Sequence, residues 1–237
     1  MAQVVHRPGR EGTAMTTSSA ELSELAEIVR IASPAPAPQS LAHDGEHLWL
    51  GSWETSRIYG LYPAQGRVFE EQQAPGKPVG SVAVGDELRF ICAQNGEDDN
   101  RFIRRFVPAH GFKTQAVPCP DDTGSFLAFD GEHLWLSQRF NKRVLELDPA
   151  CRVVRTVDVG EEILGMAWVD ERLYLSIWLG RERGGSRIAY IEARAAAPAL
   201  TIVARPAFTA VSLARDGGRL WTNDFKGEQI VAFHIPA

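Results

Sequence analysis

Cysteine is scarce in this chain: Cys92, Cys119 and Cys151 are widely spaced, and none belongs to a Cys-x-x-Cys pair with nearby histidines. A disulfide framework and a zinc module are therefore excluded. Long apolar runs are also missing. The longest are strand-sized, far below the ~20 residues of a bilayer span, so no membrane partner is expected. Basic charge is not in excess, since 25 Lys and Arg face 30 Asp and Glu for a net charge of -5. Without a broad cationic face to release phosphate counterions, nucleic acid is not an expected partner. Helical periodicity is weak and confined to AELSELAEIV near the N-terminus. There is no Ser/His/Asp order, nucleophile elbow, phosphate loop or Gly-x-Gly-x-x-Gly fingerprint. The leading residues lack the continuous apolar stretch of a secretory signal. The expectation is a cytoplasmic protein with a disordered segment at 1–20 and one domain at 21–237.

What is present is a repeat. With 44% hydrophobic and 23% charged residues the chain is globular material, able to bury about 70–75% of its unfolded surface. LAHDGEHLWLGSWETSRIYGLYP from Leu41 and LAFDGEHLWLSQRFNKRVLELDP from Leu127 share D-G-E-H-L-W-L and a closing R-[IV]-x-x-L-x-P. Weaker copies start at Val82, Met166 and Val211, giving steps of 41, 45, 39 and 45 residues. Each copy reads as four short strands separated by turn residues. Four strands per period of about 40 residues predict propeller blades, so the fold class is all-β, a five-bladed β-propeller. The last copy ends after its third strand, while AEIVRIA at 26–32 precedes the first copy without a blade of its own. That leading strand is expected to complete the last blade and close the ring, removing an edge that invites pairing.

The repeat resembles the blades of the NHL, virginiamycin B lyase and gluconolactonase-like propellers over residues 41–237, with a five-blade count as in glutaminyl cyclase-like propellers. Most of the former have six or seven blades. The glutaminyl cyclase resemblance implies a catalytic glutamate on the second strand of an early blade; Glu54 lies just past that strand core, after LWLGSW. Gluconolactonase-like propellers imply a divalent cation held by Glu, Asn and Asp near the axis, and the inner strands here offer no matching carboxylate set.

Small residues recur on the inner strands at Ala42, Ala83, Ala128, Ala167 and Ser212, as crowding around a fivefold axis demands. His43 falls in the next column, with Val84, Phe129, Trp168 and Leu213, and reads as a packed histidine. His47 and His133 recur beside the D-G turns and read as parts of the repeat. Trp49, Trp135 and Trp221 read as core. At the ends of the second strands, the columns collect Trp53, Arg139, Trp178 and Phe225, then Glu54, Gln94 and Lys226, with Asp224 one place earlier. Aromatic side chains with a few polar anchors at strand ends suit the walls of a cleft, although the same rings could wedge between blades.

The expected function is an enzyme binding a small-molecule substrate at this mouth and performing acid–base chemistry: cyclisation, elimination or isomerisation. Glu54, beside Trp53, and Asp224 would move protons, Arg139 and Lys226 would hold charge, and Trp53, Trp178, Phe225 and Gln94 would line the pocket. A salt bridge between Glu54 and Lys226 is the plainer reading of that pair. The alternative class is a non-catalytic metabolite- or sugar-binding or protein-interaction propeller. No cofactor is called for. The acidic loops GEDDN (97–99) and PDDTG (121–122) have oxygen density suited to Ca²⁺ or Mg²⁺, with solvated loop charge the commoner explanation, and Arg181 and Arg183 make the opposite loop basic.

Overall fold

A computed structural model describes residues 22–236; the expected disordered segment at 1–20 lies outside them. The chain opens with β1 (Ser23–Glu24) and β2 (Glu27–Ala32). Blade one follows as β3 (Pro38–His43), β4 (Leu48–Ser52), β5 (Arg57–Tyr62) and β6 (Arg67–Gln73), and blade two as β7 (Lys77–Val84), β8 (Glu87–Ala93), β9 (Arg101–Val107) and β10 (Gly111–Pro118). Blade three is β11 (Leu127–Phe129), β12 (Leu134–Gln138), β13 (Arg143–Leu147) and β14 (Val153–Asp158), and blade four β15 (Glu162–Val169), β16 (Arg172–Trp178), β17 (Ser186–Ile191) and β18 (Thr201–Arg205). Blade five has β19 (Ala210–Asp216), β20 (Arg219–Asp224) and β21 (Gln229–His234), with β2 as its antiparallel outer strand. The inner strands β3, β7, β11, β15 and β19 touch in succession, and β19 meets β3 to complete the ring. The weak helical pattern near the N-terminus is overridden: its described residues contribute to β1, parallel to β18, and to β2.

The repeated D-G-E-H-L-W-L sequence explains how each inner hairpin is built. In blade one the Asp44 carboxylate accepts the N–H groups of Glu46 (2.9 Å) and His47 (2.7 Å), closing the turn, and the Trp49 indole N–H (2.7 Å). Asp130 does the same for Glu132, His133 and Trp135, and Asp216 accepts the Trp221 indole at 3.1 Å. Gly45 and Gly131 follow the aspartates at φ +107° and +102°, a region that favours glycine. All three tryptophans are buried between blades, as their recurrence requires. Tyr174 takes the equivalent place in blade four and donates its hydroxyl to Pro236 O.

Strand register corrects the small-residue column. Ala42, Ala128 and Ala167 pair with Trp49, Trp135 and Tyr174, but Trp221 pairs with Ala214, not Ser212, because β19 carries an irregularity between Val211 and Ala214. The column is therefore alanine in four blades and Val82, opposite Arg89, in blade two; Ala83, not Val84, and Arg215, not Leu213, are the counterparts of His43. Ser212, at φ +65°, turns its Oγ to accept the Leu41 N–H at 3.0 Å, clamping β19 to β3. Close approaches elsewhere draw the inner strands together. A Cβ on Gly165 would lie 2.5 Å from Ser212 backbone, and one on Gly80 2.3 Å from Ser125 O.

Candidate functional site

The ring has two mouths, one ringed by the loops after the second strands and one by the D-G turns. At the first, the eight anticipated residues are spread over all five blades, and four of them, Trp53, Gln94, Arg139 and Asp224, are engaged with other partners. Trp53 is half-buried against the cluster between blades two and three, its N–H donated to Ala37 O and its ring covered by Lys77 Nζ at 4.9 Å. Glu54 is exposed, as are Lys226 and Gln94, and Gln94 donates to Pro75 O. Among the described residues no ion pair joins Glu54 to Lys226. Asp224 is buried, accepts Arg30 Nη1 at 3.0 Å and the Gly227 N–H at 3.0 Å, and so fastens closing strand β2 to β20. Arg139 sends Nε and Nη2 to Glu162 at 3.1 and 3.0 Å and stacks on Phe140. Trp178 is half-buried at the end of β16 and Phe225 is exposed.

The two acidic loops do adjoin, through Thr123 Oγ1 donating to Asp98 at 2.9 Å. Their charge is partly met from within: Arg101 pairs with Asp98 at 2.8 Å and Arg143 with Asp121 at 2.9 Å. In the basic loop, Arg183 grips Glu161 through both terminal nitrogens at 2.6 and 2.9 Å.

The cavity lies at the other mouth. It measures about 300 Å³ and is walled by five alanines and Val82 from the inner strands, together with Phe129, Trp168, Met166 and Leu213. None of the residues anticipated from the second-strand ends touches it. Its polar wall consists of His43, Ser81, Asp130 and Arg215, and this set was recoverable from sequence only in part. The inner-strand column displays His43, whereas the two-residue slip in blade five hides Arg215. The His43 side chain is only 5% exposed. Its Nδ1 accepts the Gly45 N–H at 3.2 Å, so the proton sits on Nε2, which is 3.6 Å from Asp216 Oδ2 and beyond a direct hydrogen bond. Burial lowers the imidazole pKa, with Asp216 and Asp44 pulling the other way. Ser81 Oγ is buried without a partner. Asp130 presents little charge to the cavity, since it is consumed by its turn, by Trp135 and by Arg194 at 2.7 Å. Burial tends to raise the Asp130 pKa, but these hydrogen bonds and Arg194 outweigh it and the net shift is downward.

Asp130, His133 and Glu146 bring potential metal-ligating atoms within 4.8 Å of one another. Arg194 already supplies positive charge there, 2.7 Å from Asp130 and 3.9 Å from Glu146. The cysteines offer no nucleophile, since burial pushes the Cys92 and Cys119 thiols up to about 12.

No family model and no curated protein matches the chain. Among solved structures it is similar to the glutaminyl cyclase of Myxococcus xanthus, with TM-score 0.68 and 11% identity over 91% of this chain and 100% of that one. It is also similar to a chain of a nidogen/laminin complex, with TM-score 0.57 and 12% identity over 79% and 89%. A catalytically inactive virginiamycin B lyase from Staphylococcus aureus, with quinupristin, gives TM-score 0.52 and 14% identity over 86% and 71%. At such identities the likeness is one of fold, and what this chain shares with all three is the propeller.

Proposed function

We propose that the protein binds a small, partly apolar molecule in the cavity at the D-G turn mouth and performs acid–base chemistry on it, with His43 as the proton-transfer group. The observation that carries this reading is the position of His43 in the cavity wall, with Asp216 beside its protonated nitrogen. A histidine kept neutral by burial, with a carboxylate near enough to favour the imidazolium as it forms, suits proton transfer near neutral pH. Apolar walls with a few polar groups are the ordinary makeup of small-molecule pockets, and 300 Å³ is at the lower end of their size range. The glutaminyl cyclase and virginiamycin B lyase neighbours are propellers named as enzymes, which supports a catalytic reading of this fold without identifying a substrate.

The test is a metabolite screen by thermal shift and calorimetry on three variants. Ala83→Leu, at a partly exposed wall position, should abolish binding, whereas Trp53→Ala and Glu54→Gln should leave it unchanged. The opposite pattern would move the site to the first mouth and overturn the reading. Once a ligand is in hand, His43→Gln should retain binding and lose turnover. Unchanged turnover in that variant would refute His43 as the proton-transfer group, and a parent that binds the ligand without turnover would leave the non-catalytic binding module, the second reading.

A further inference from the structure

Of the polar groups that line the cavity, one carries a charge held only loosely. Asp130 is buried and saturated by four donors, and His43 is shifted toward its neutral form by burial. Arg215 is different: its Nη2 donates to Asp170 at 2.9 Å, and Asp170 is 81% exposed. Exposed pairs of this kind are weak, so a competing carboxylate displaces the partner at little cost. The guanidinium is planar and presents five donors, a match for a carboxylate fork.

The turn that supplies Asp170 is itself unusual. Asp170 and Glu171 form the two-residue connection between β15 and β16, at φ +45° and +66°. Such a connection favours Asn-Gly or Asp-Gly, and non-glycine residues held there are strained. The strained turn sets the Asp170 carboxylate against Arg215 of blade five and that of Glu171 3.9 Å from Arg194. A removable carboxylate thus occupies the cationic group at the cavity rim.

We propose that the ligand of the axial cavity is a small carboxylic acid with an apolar body, whose carboxylate replaces that of Asp170 on Arg215 while its body lies along the wall alanines, Val82 and Trp168. This rests on the reading that the cavity is the binding site. At about 30 Å³ per water-sized group, 300 Å³ admits a molecule of about ten non-hydrogen atoms.

The experiment titrates the full chain at low salt, by calorimetry, with a set of aryl and alkyl carboxylates of about six to twelve non-hydrogen atoms and with their neutral carboxamides. Acids should bind at least about tenfold more tightly than amides, and Arg215→Gln should remove that preference. Asp170→Asn should tighten the acids severalfold: it deletes the competing charge, and asparagine tolerates the left-handed backbone that position demands. Acids and amides that bind equally, with both lost in Ala83→Leu, would overturn the anion preference and leave the cavity reading standing. Acid binding that survives Ala83→Leu would overturn the cavity reading and this inference together. Failure of every acid to bind, or an Asp170→Asn variant no tighter than the parent, would also overturn the inference.

Discussion

Replacing Asp130 with alanine should be the costliest single change among the three turn aspartates. Its side chain is 0% exposed, against 19% for Asp44 and 18% for Asp216. The mutation deprives the indole N–H of Trp135, itself fully buried, of its acceptor; a buried unsatisfied donor costs about 1–3 kcal/mol. The two turn amides lose Oδ1 but sit where water can replace it, adding about 0.5–1 kcal/mol. The Arg194 pair, half open to solvent, adds at most about 1 kcal/mol. Together these give about 1.5–5 kcal/mol, or roughly 3–20 °C in Tm for a chain of this size. Urea unfolding followed by tryptophan fluorescence measures it, with Asp44→Ala and Arg194→Ala as references. The Asp130 carboxyl sits below its ordinary pKa in the folded state. Its contribution is therefore complete above the unfolded value of about 4 and fades as pH falls through the lower folded value, so the penalty should shrink in acid. An Asp130→Ala variant within about 1 kcal/mol of the parent, or no worse than Arg194→Ala, would refute the argument that satisfaction of the indole, and not the ion pair, dominates.

Three further outcomes follow from the fold. A chain starting at residue 34 lacks β2 and the Arg30–Asp224 pair and exposes the edge of β21, so light scattering should report aggregation; a soluble monomer with unchanged Tm would contradict the closure. Gly165→Ala should destabilise by about 2–4 kcal/mol in urea unfolding, because its Cβ would press against Ser212 backbone at 2.5 Å, whereas Gly218→Ala, with open space around it, should not. His43 has a folded pKa below its unfolded value, and Asp216, Asp44, Arg219 and His47 are the charged or titratable groups acting on it. The unfolded chain then binds the proton more readily, so stability should fall as pH drops below about 6.5. His43→Gln should flatten the profile of unfolding free energy between about pH 6.5 and 5; an unaltered slope would count against a buried neutral imidazole.

The blade count was legible because the signal is covalent: a D-G turn, a buried tryptophan five residues after the aspartate, and an unmatched strand at each end. The registers of blades two and five were not. The irregularity between Val211 and Ala214 inserts residues without any composition cue, so a repeat aligned by similarity places Ser212 where the ring holds Ala214. The end of the channel that holds open space was equally hidden. Counting aromatic residues at strand ends favoured the first mouth, but where the cavity forms depends on backbone approaches across blades: Gly80 to Ser125, Gly165 to Ser212, and Ser212 to Leu41. Those contacts join residues about 45 or more positions apart in sequence or on separate strands, and no local pattern announces them. The engagement of Asp224 with Arg30 was hidden for the same reason, since its partner lies 194 residues away.

The pairing of β2 with β21 has a mechanical consequence. Glu27 stands opposite Phe233, and the His234 N–H donates to Ala26 O, so the two segments leave the sheet side by side at the same end. Tension applied through them peels the rungs apart singly, as a zipper opens, and never loads the whole ladder in shear. The circle should give way at its clasp under small force, whereas handles fixed to two different blades would have to break buried tryptophan contacts before any strand moved.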